Sequence, residues 1–159
     1  MAQTVKAIPE GLHTVTASLC VSPAEEAMAF YEKAFGARTI SKHIMQGKVG
    51  HAELHIGDSV IFVCDEFPGA GSGRSPRTLR GTTAGLYLYV EDVDAWFARA
   101  VKAGVKVIMP LAEMFWGDRF GQVEDPYGHV WSLATRKENL TMEQIAERQK
   151  QFFASAKAS

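Results

Sequence analysis

One stretch of this sequence occurs twice. TASLCVSPAEEAMAFYEKAFGARTI (16–40) can be laid beside TAGLYLYVEDVDAWFARAVKAGVKVI (83–108). Val21 then stands where Val90 does, and Gly36 where Gly104 does, with a one-residue gap near the start of the helix. Each copy reads as strand, helix, glycine stop and further strands. Two copies of about 65 to 70 residues are too few for a solenoid, which needs at least three units. The repeat therefore predicts a pseudo-symmetric pair of modules.

Local signals give each module its elements. Val15, Ala17, Leu19 and Val21 alternate with Thr14, Thr16, Ser18 and Cys20, the period-two pattern of a strand with one apolar face. Ser22, Pro23 and Glu25 offer an N-cap, a proline at the first helical position and a capping-box glutamate. Ala24, Ala27, Met28, Tyr31, Ala34 and Phe35 fall on one helical stripe, and Gly36 is a helix stop. In the second copy Leu86, Leu88 and Val90 form the apolar strand face, and Asp92 can cap the next helix. Val93, Trp96, Phe97, Ala100 and Val101 make its stripe, and Gly104 ends it. Three extended segments follow each helix: 37–45, 48–56 and 59–65, then 105–109, 120–124 and 129–135. The turns between them carry Gly, as in DPYG at 125–128. Each module is thus βαβββ, and the predicted class is α+β.

Two segments lie outside the repeat. Residues 66–83, rich in Gly, Pro, Ser and Thr, read as a linker. Residues 140–159 read as a C-terminal helix and tail, with Thr141 and Gln144 as a capping box and Met142, Ile145, Phe152 and Phe153 on one face. The expected organisation is one domain over 1–139, with modules at about 10–65 and 84–139.

Composition narrows the function classes. The chain has 159 residues, 47% of them hydrophobic and 22% charged, which is ordinary globular usage. Its net charge of −1 gives no basic footprint for nucleic acid. No apolar run is long enough to span a membrane, and MAQTVKAIPEGLHT lacks the apolar core of a secretory signal. Two cysteines, Cys20 and Cys64, are too few for a disulfide framework. A cytoplasmic protein is expected.

The paired βαβββ modules, with FYEKAFGA after the first strand and VEDVDAWFARAVKAG after the second, resemble the vicinal oxygen chelate superfamily. That group includes glyoxalase I, bleomycin-resistance proteins and extradiol dioxygenases. GHAELHIGDS, MFWGDRFGQVEDPYGHVW and DEFPG are similar to its PhnB-like branch. The resemblance covers about residues 10–138. It implies that each sheet curls into a half-barrel, with its helix outside and its inner face lining a cavity. Strand parity then assigns the inner-face residues. In the first module these are Thr14, Thr16, Ser18 and Cys20, then His51, Glu53 and His55, then Val60, Phe62 and Cys64. In the second they are Gly85, Tyr87 and Tyr89, then Phe120 and Gln122, then Val130 and Ser132. This mixed aromatic and polar lining suits a small organic ligand. The resemblance also implies a homodimer.

Superfamily enzymes usually hold one divalent metal with His, Gln or Glu from the first and fourth strands of each module. Those positions are Thr16, Phe62, Gly85 and Ser132 here. Phenylalanine and glycine have no side-chain donor, and isolated hydroxyls are poor ligands. No cofactor is expected there. A divalent metal is possible at a non-standard site, because His51 and Glu53 are two apart on one strand and share a face. Three readings of that pair stay open: a buried hydrogen-bonded pair, an acid–base pair with Glu53 as general base, or a metal site. His55 lies about 13 Å along the strand from His51, too far for one ion to take both easily.

Other candidates have two readings each. Trp116 can stack on a planar ligand and Arg119 can pair with an anion; alternatively Trp116, Asp118 and Arg119 hold their own loop together. Tyr87 and Tyr89 offer hydroxyls or simple packing. Arg74, Arg77 and Arg80 clamp an anion or keep the linker soluble. Cys20 and Cys64 read as inert thiols, and His129 as structural or exposed. The leading expectation is a binder of a small organic molecule through Thr16, Phe62, Tyr87, Tyr89, Trp116, Arg119, Phe120, Gln122 and Ser132, without the usual metal. The alternative is a lyase, isomerase or dioxygenase built on His51 and Glu53, or a metal-free enzyme.

Overall fold

The computed structural model describes residues 5–69, 71 and 73–156. The chain divides into two compact units, Met1–Thr82 and Thr83–Ser159. The first contains β1 (Ala17–Cys20), α1 (Ala24–Phe35), β2 (Arg38–Met45), β3 (Lys48–Ile56), β4 (Ser59–Cys64) and the short helix α2 (Pro76–Leu79). The second contains β5 (Gly85–Tyr89), α3 (Val93–Ala103), β6 (Lys106–Glu113), β7 (Asp118–Glu124), β8 (Val130–Arg136) and α4 (Met142–Ala156). Both sheets have four strands, ordered β1-β4-β3-β2 and β5-β8-β7-β6. In each, the first and last strands run parallel and the other neighbours antiparallel. The sequence repeat is therefore a repeat of topology, and the fold is α+β.

The helices α1 and α3 each pack on one sheet face through the stripe their sequence marks. Ala24, Ala27, Met28, Tyr31, Ala34 and Phe35 of α1 are all buried, and fully burying a side chain like Phe35 is worth about 1.5–3 kcal/mol. The stripe of α3 is looser. Val93 and Ala100 are buried, Trp96 and Phe97 are half-buried, and Val101 is 43% exposed. The helix sits close to its sheet at Phe97, because a Cβ on Gly121 of β7 would lie 2.7 Å from that ring. Only glycine leaves that space.

The start of α1 differs from expectation. Ser22 does not cap it; Pro23 is the N-cap residue, without a side-chain cap bond. The carboxylate of Asp65, just past β4, takes the role by accepting from the Ala24 N–H at 2.9 Å and the Val49 N–H at 2.8 Å. The second unit repeats the device with a hydroxyl. Thr135 Oγ1 in β8 accepts from the Val93 N–H at 2.9 Å and donates to the Val90 carbonyl at 2.7 Å. Asp92 caps α3 as expected, accepting from the Ala95 N–H.

Three further boundaries move. β1 begins at Ala17, leaving Val15 86% exposed. β6 runs on to Glu113, past Pro110. That strand is at the sheet edge, and its pairing with β7 is irregular between Met109 and Ala112, so the missing proline N–H costs no ladder bond. The segment read as a linker is partly built: Ser75 and Pro76 are buried and begin α2. Glu66 accepts from the Ser75 N–H and, at 2.7 Å, from the Thr78 hydroxyl. At the other end, Thr141 and Gln144 exchange the reciprocal bonds of a capping box at the head of α4. No helix among the described residues is long and apolar enough to cross a membrane.

Candidate functional site

In the second unit, β5, β8 and β7 lie side by side, and their register builds two rows on one face. Tyr87, Ser132 and Gln122 are cross-strand partners in the first row; Tyr89, Ala134 and Phe120 are in the second. The opposite parity sends Trp131 and Leu133 into the core beneath α3, both at 0% exposure. Ala134 has only a methyl group and leaves room between its larger neighbours. The result is an open hollow of about 670 Å³ lined by Tyr87, Tyr89, Trp116, Phe120, Gln122 and Ser132. Tyr87 stacks on Phe120 with ring centroids 5.6 Å apart and tilts against Tyr89 at 5.0 Å. Trp116 meets Phe120 edge-on at 5.7 Å. These are favourable aromatic geometries. Gln122 Nε2 donates to Ser132 Oγ at 3.1 Å.

Asp118 organises one side of this hollow. It is 1% exposed. Its Oδ2 accepts from the Tyr89 hydroxyl at 2.7 Å and from the Trp116 indole N–H at 3.1 Å. Among the described residues, the cation beside it is the well-exposed Arg136, with Nε 4.0 Å from Oδ1. The hydrogen bond to Asp118 raises the Tyr89 phenol above its ordinary range. Burial, followed by the Tyr89 hydrogen bond, raises Tyr87. Both phenols are protonated at neutral pH. The Trp116 loop is also braced from α4: Phe115 lies 4.9 Å from Trp116, 5.5 Å from Phe152 and 6.3 Å from Phe153.

Six of the nine residues expected to bind ligand thus come together. Arg119 does not join them. It lies on the other face of β7, where Asp94 grips it at 2.7 and 2.8 Å and Glu113 approaches at 3.4 Å. Those carboxylates raise its pKa, and Arg119 lowers that of Asp94. The alternation of β7 carries this signal, because Asp118, Phe120 and Gln122 share one parity and Arg119 has the other. The role of Asp118 as partner to two ring residues has a different origin. Tyr89 lies 29 positions away in sequence, and only the strand register joins them.

Thr16 and Phe62 belong to the first unit, where Phe62 pairs across the sheet with Ser18 and Glu53. His51 packs edge-on to Phe62 at 4.7 Å and stacks on His43 at 6.4 Å. His51 Nε2 stands 3.7 Å from Glu53 Oε1, with the side chains 43% and 33% exposed. The distance is too long for a hydrogen bond, so the pair is neither buried nor hydrogen-bonded. His129, in contrast, is 9% exposed, and its N–H donates to Asp125 Oδ1. Asp125 also takes the Tyr127 N–H and the Trp131 indole, so the DPYG turn is tied to the core. Arg77 donates to the Ser22 carbonyl at 3.0 Å. Arg74 borders a separate hollow of about 470 Å³ with Glu66, Phe67 and Thr78, and Arg80 ends α2.

The metal positions implied by the resemblance do not fit a divalent ion. Phe62 and Gly85 provide no donor, and Ser132 Oγ already accepts from Gln122. Among the described residues no three His, Cys, Asp or Glu side chains are grouped to hold one.

Comparison with known proteins agrees with the fold. The family model for the glyoxalase/bleomycin resistance protein/dioxygenase superfamily matches residues 11–133. An uncharacterized protein of Mycobacterium bovis is 40% identical over 130 residues, covering 80% of this chain and 86% of that one. TnmS3, an antibiotic binding protein from Streptomyces sp. CB03234, is 28% identical with a TM-score of 0.59, covering 84% of this chain and 100% of its own. A PhnB protein from Bacillus cereus shares the fold with a TM-score of 0.59 at 24% identity, covering 77% of this chain and 99% of its own. The chain belongs to the glyoxalase/bleomycin resistance protein/dioxygenase superfamily.

Proposed function

We propose that this protein binds a small planar organic molecule in the second unit's hollow, without a metal at the superfamily's usual positions. The observation that carries this is the convergence of Tyr87, Tyr89, Trp116, Phe120, Gln122 and Ser132 on one open space. The rings supply stacking surface, each ring pair adding about 0.5–1.5 kcal/mol beyond simple burial. Gln122 and Ser132 supply polar contacts that orient the ligand. The 28% identity to an antibiotic binding protein supports a binding role. Calorimetric titration with 2-naphthol tests it. The expected result is saturable binding that Trp116→Leu weakens at least tenfold. Binding that ignores Trp116→Leu and Phe120→Leu would refute this placement.

The alternative is catalysis at His51 and Glu53, supported by their 3.7 Å approach beside Phe62. Glu53 would then act as general base, or the pair would recruit a metal. A turnover assay separates the readings: a catalytic Glu53 loses activity on Glu53→Gln, whereas a binder shows none to lose.

Two further expectations belong to this proposal. A homodimer is supported by exposed apolar residues on the edge strands, Ile40, Ile44 and Met45 on β2 and Val107 and Ile108 on β6. Sedimentation equilibrium at twice the monomer mass is the expected result. A cytoplasmic setting is supported by Cys20 and Cys64, whose thiols form no disulfide.

A further inference from the structure

We propose that the hollow of the second unit selects organic cations, taking a quaternary or protonated ammonium head group against Tyr87, Tyr89, Trp116 and Phe120. This rests on the small-molecule reading above and narrows it to one class of ligand.

Three observations converge. First, four of the six lining side chains are aromatic, and their ring faces carry partial negative charge that attracts a cation. Second, none of the six is cationic. An anionic ligand would meet no lysine or arginine there. Arg119, the basic residue next in sequence to Phe120, is gripped by Asp94 on the other face of its strand.

Third, a carboxylate stands behind two of the rings. Asp118 accepts the Tyr89 O–H and the Trp116 N–H through the same oxygen. These neutral donors stabilise the carboxylate without cancelling its charge. Donation to an anion also pushes electron density back into the phenol and the indole, so their faces become more attractive to a cation. Arg136 offsets this only weakly, because it reaches Asp118 at 4.0 Å with its side chain 65% exposed to solvent. The Asp118 carboxylate is almost fully buried and screened far less. An ammonium group in the hollow is favoured twice, by the ring faces and by the charge behind them. A sulfonate or carboxylate is opposed by both.

The test uses three meta-substituted phenols of nearly the same shape: 3-hydroxyphenyltrimethylammonium, 3-tert-butylphenol and 3-hydroxybenzenesulfonate. Titration calorimetry on the full chain is expected to show the cation binding at least tenfold tighter than the tert-butyl compound and the sulfonate weaker still. Asp118→Asn keeps the shape and removes the charge. It is expected to weaken the cation three- to tenfold more than it weakens 3-tert-butylphenol. If Asp118→Asn fails to fold, Tyr89→Phe and Trp116→Leu make the same comparison at the rings, and both should weaken the cation more than the neutral phenol. Equal or tighter binding of 3-tert-butylphenol, still lost in Trp116→Leu, would overturn the cation preference while leaving a small-molecule site. Absence of binding by all three phenols and by 2-naphthol would overturn both.

Discussion

Asp118 accepts hydrogen bonds from two of the side chains that line the hollow, and each donor loses its partner if the carboxylate is removed. Asp118→Ala should therefore lower stability by about 1–3 kcal/mol, read as a shift in the urea midpoint. An unchanged midpoint would mean that the network contributes nothing. Cys20 and Cys64 are register partners on adjacent parallel strands. Burial above all, then the neighbouring Cys64, pushes the Cys20 thiol up to about 12. Because the folded value exceeds the unfolded one, the contribution is present below the unfolded pKa and is lost as pH rises toward about 12. Iodoacetamide at pH 8.5 should alkylate Cys20 more slowly in the folded chain than in urea, since the thiolate is the nucleophile. Equal rates would contradict this. At this scale the sequence is legible where parity speaks. Tyr87, Tyr89, Phe120, Gln122 and Ser132 follow from alternation once one face of the sheet lines a cavity, as the resemblance implies. The charge of Arg119 suggests a place at the site, although its parity points away. The contact from Asp118 to Tyr89 depends on strand order, which a single strand does not encode.

At the scale of elements, the same joint occurs twice in different chemistry. Asp65 holds the head of α1, and Thr135 holds the head of α3. Both sit at or just beyond the end of the strand that closes the module, and each takes a first-turn N–H that the helix cannot satisfy itself. Asp65→Ala leaves two buried N–H groups unpaired, those of Ala24 and Val49. A loss of about 2–4 kcal/mol is expected from chemical denaturation. Thr135→Val keeps the shape and removes a neutral hydroxyl that bonds the Val93 N–H and the Val90 carbonyl, so a smaller loss of about 1–2 kcal/mol should result, because neutral bonds are weaker than bonds to a carboxylate. A larger effect from Thr135→Val than from Asp65→Ala would show that the two joints are not equivalent. The helices and their stripes are legible because periodicity is local. The cap of α1 is not, because Ser22-Pro23 presents the local signature of a cap while a residue 41 positions away makes the bond. The order within 66–83 is hidden for a similar reason: Glu66 anchors Ser75 and Thr78 in a segment whose composition reads as loop.

At the scale of the whole molecule, duplication explains most of the architecture, and divergence between the copies explains where the aromatic hollow lies. The two sheets share their strand order. Their inner faces have separated in character: the first carries His51, Glu53 and Phe62, and the second carries the aromatic hollow. The second unit also has α4, whose Phe152 and Phe153 touch Phe115 beside Trp116. The functional reading turns on this hollow taking a small organic ligand with no metal required. Chemical-shift mapping on chelator-treated protein, with 3-hydroxyphenyltrimethylammonium as probe, bears on both halves of that statement at once. Occupancy of the hollow should give saturable shifts of the Trp116 indole N–H, the Gln122 side-chain amide and the Tyr87 and Tyr89 backbone amides. Shifts centred on His51 and Glu53, or shifts that arise only after a divalent metal is added, would contradict it.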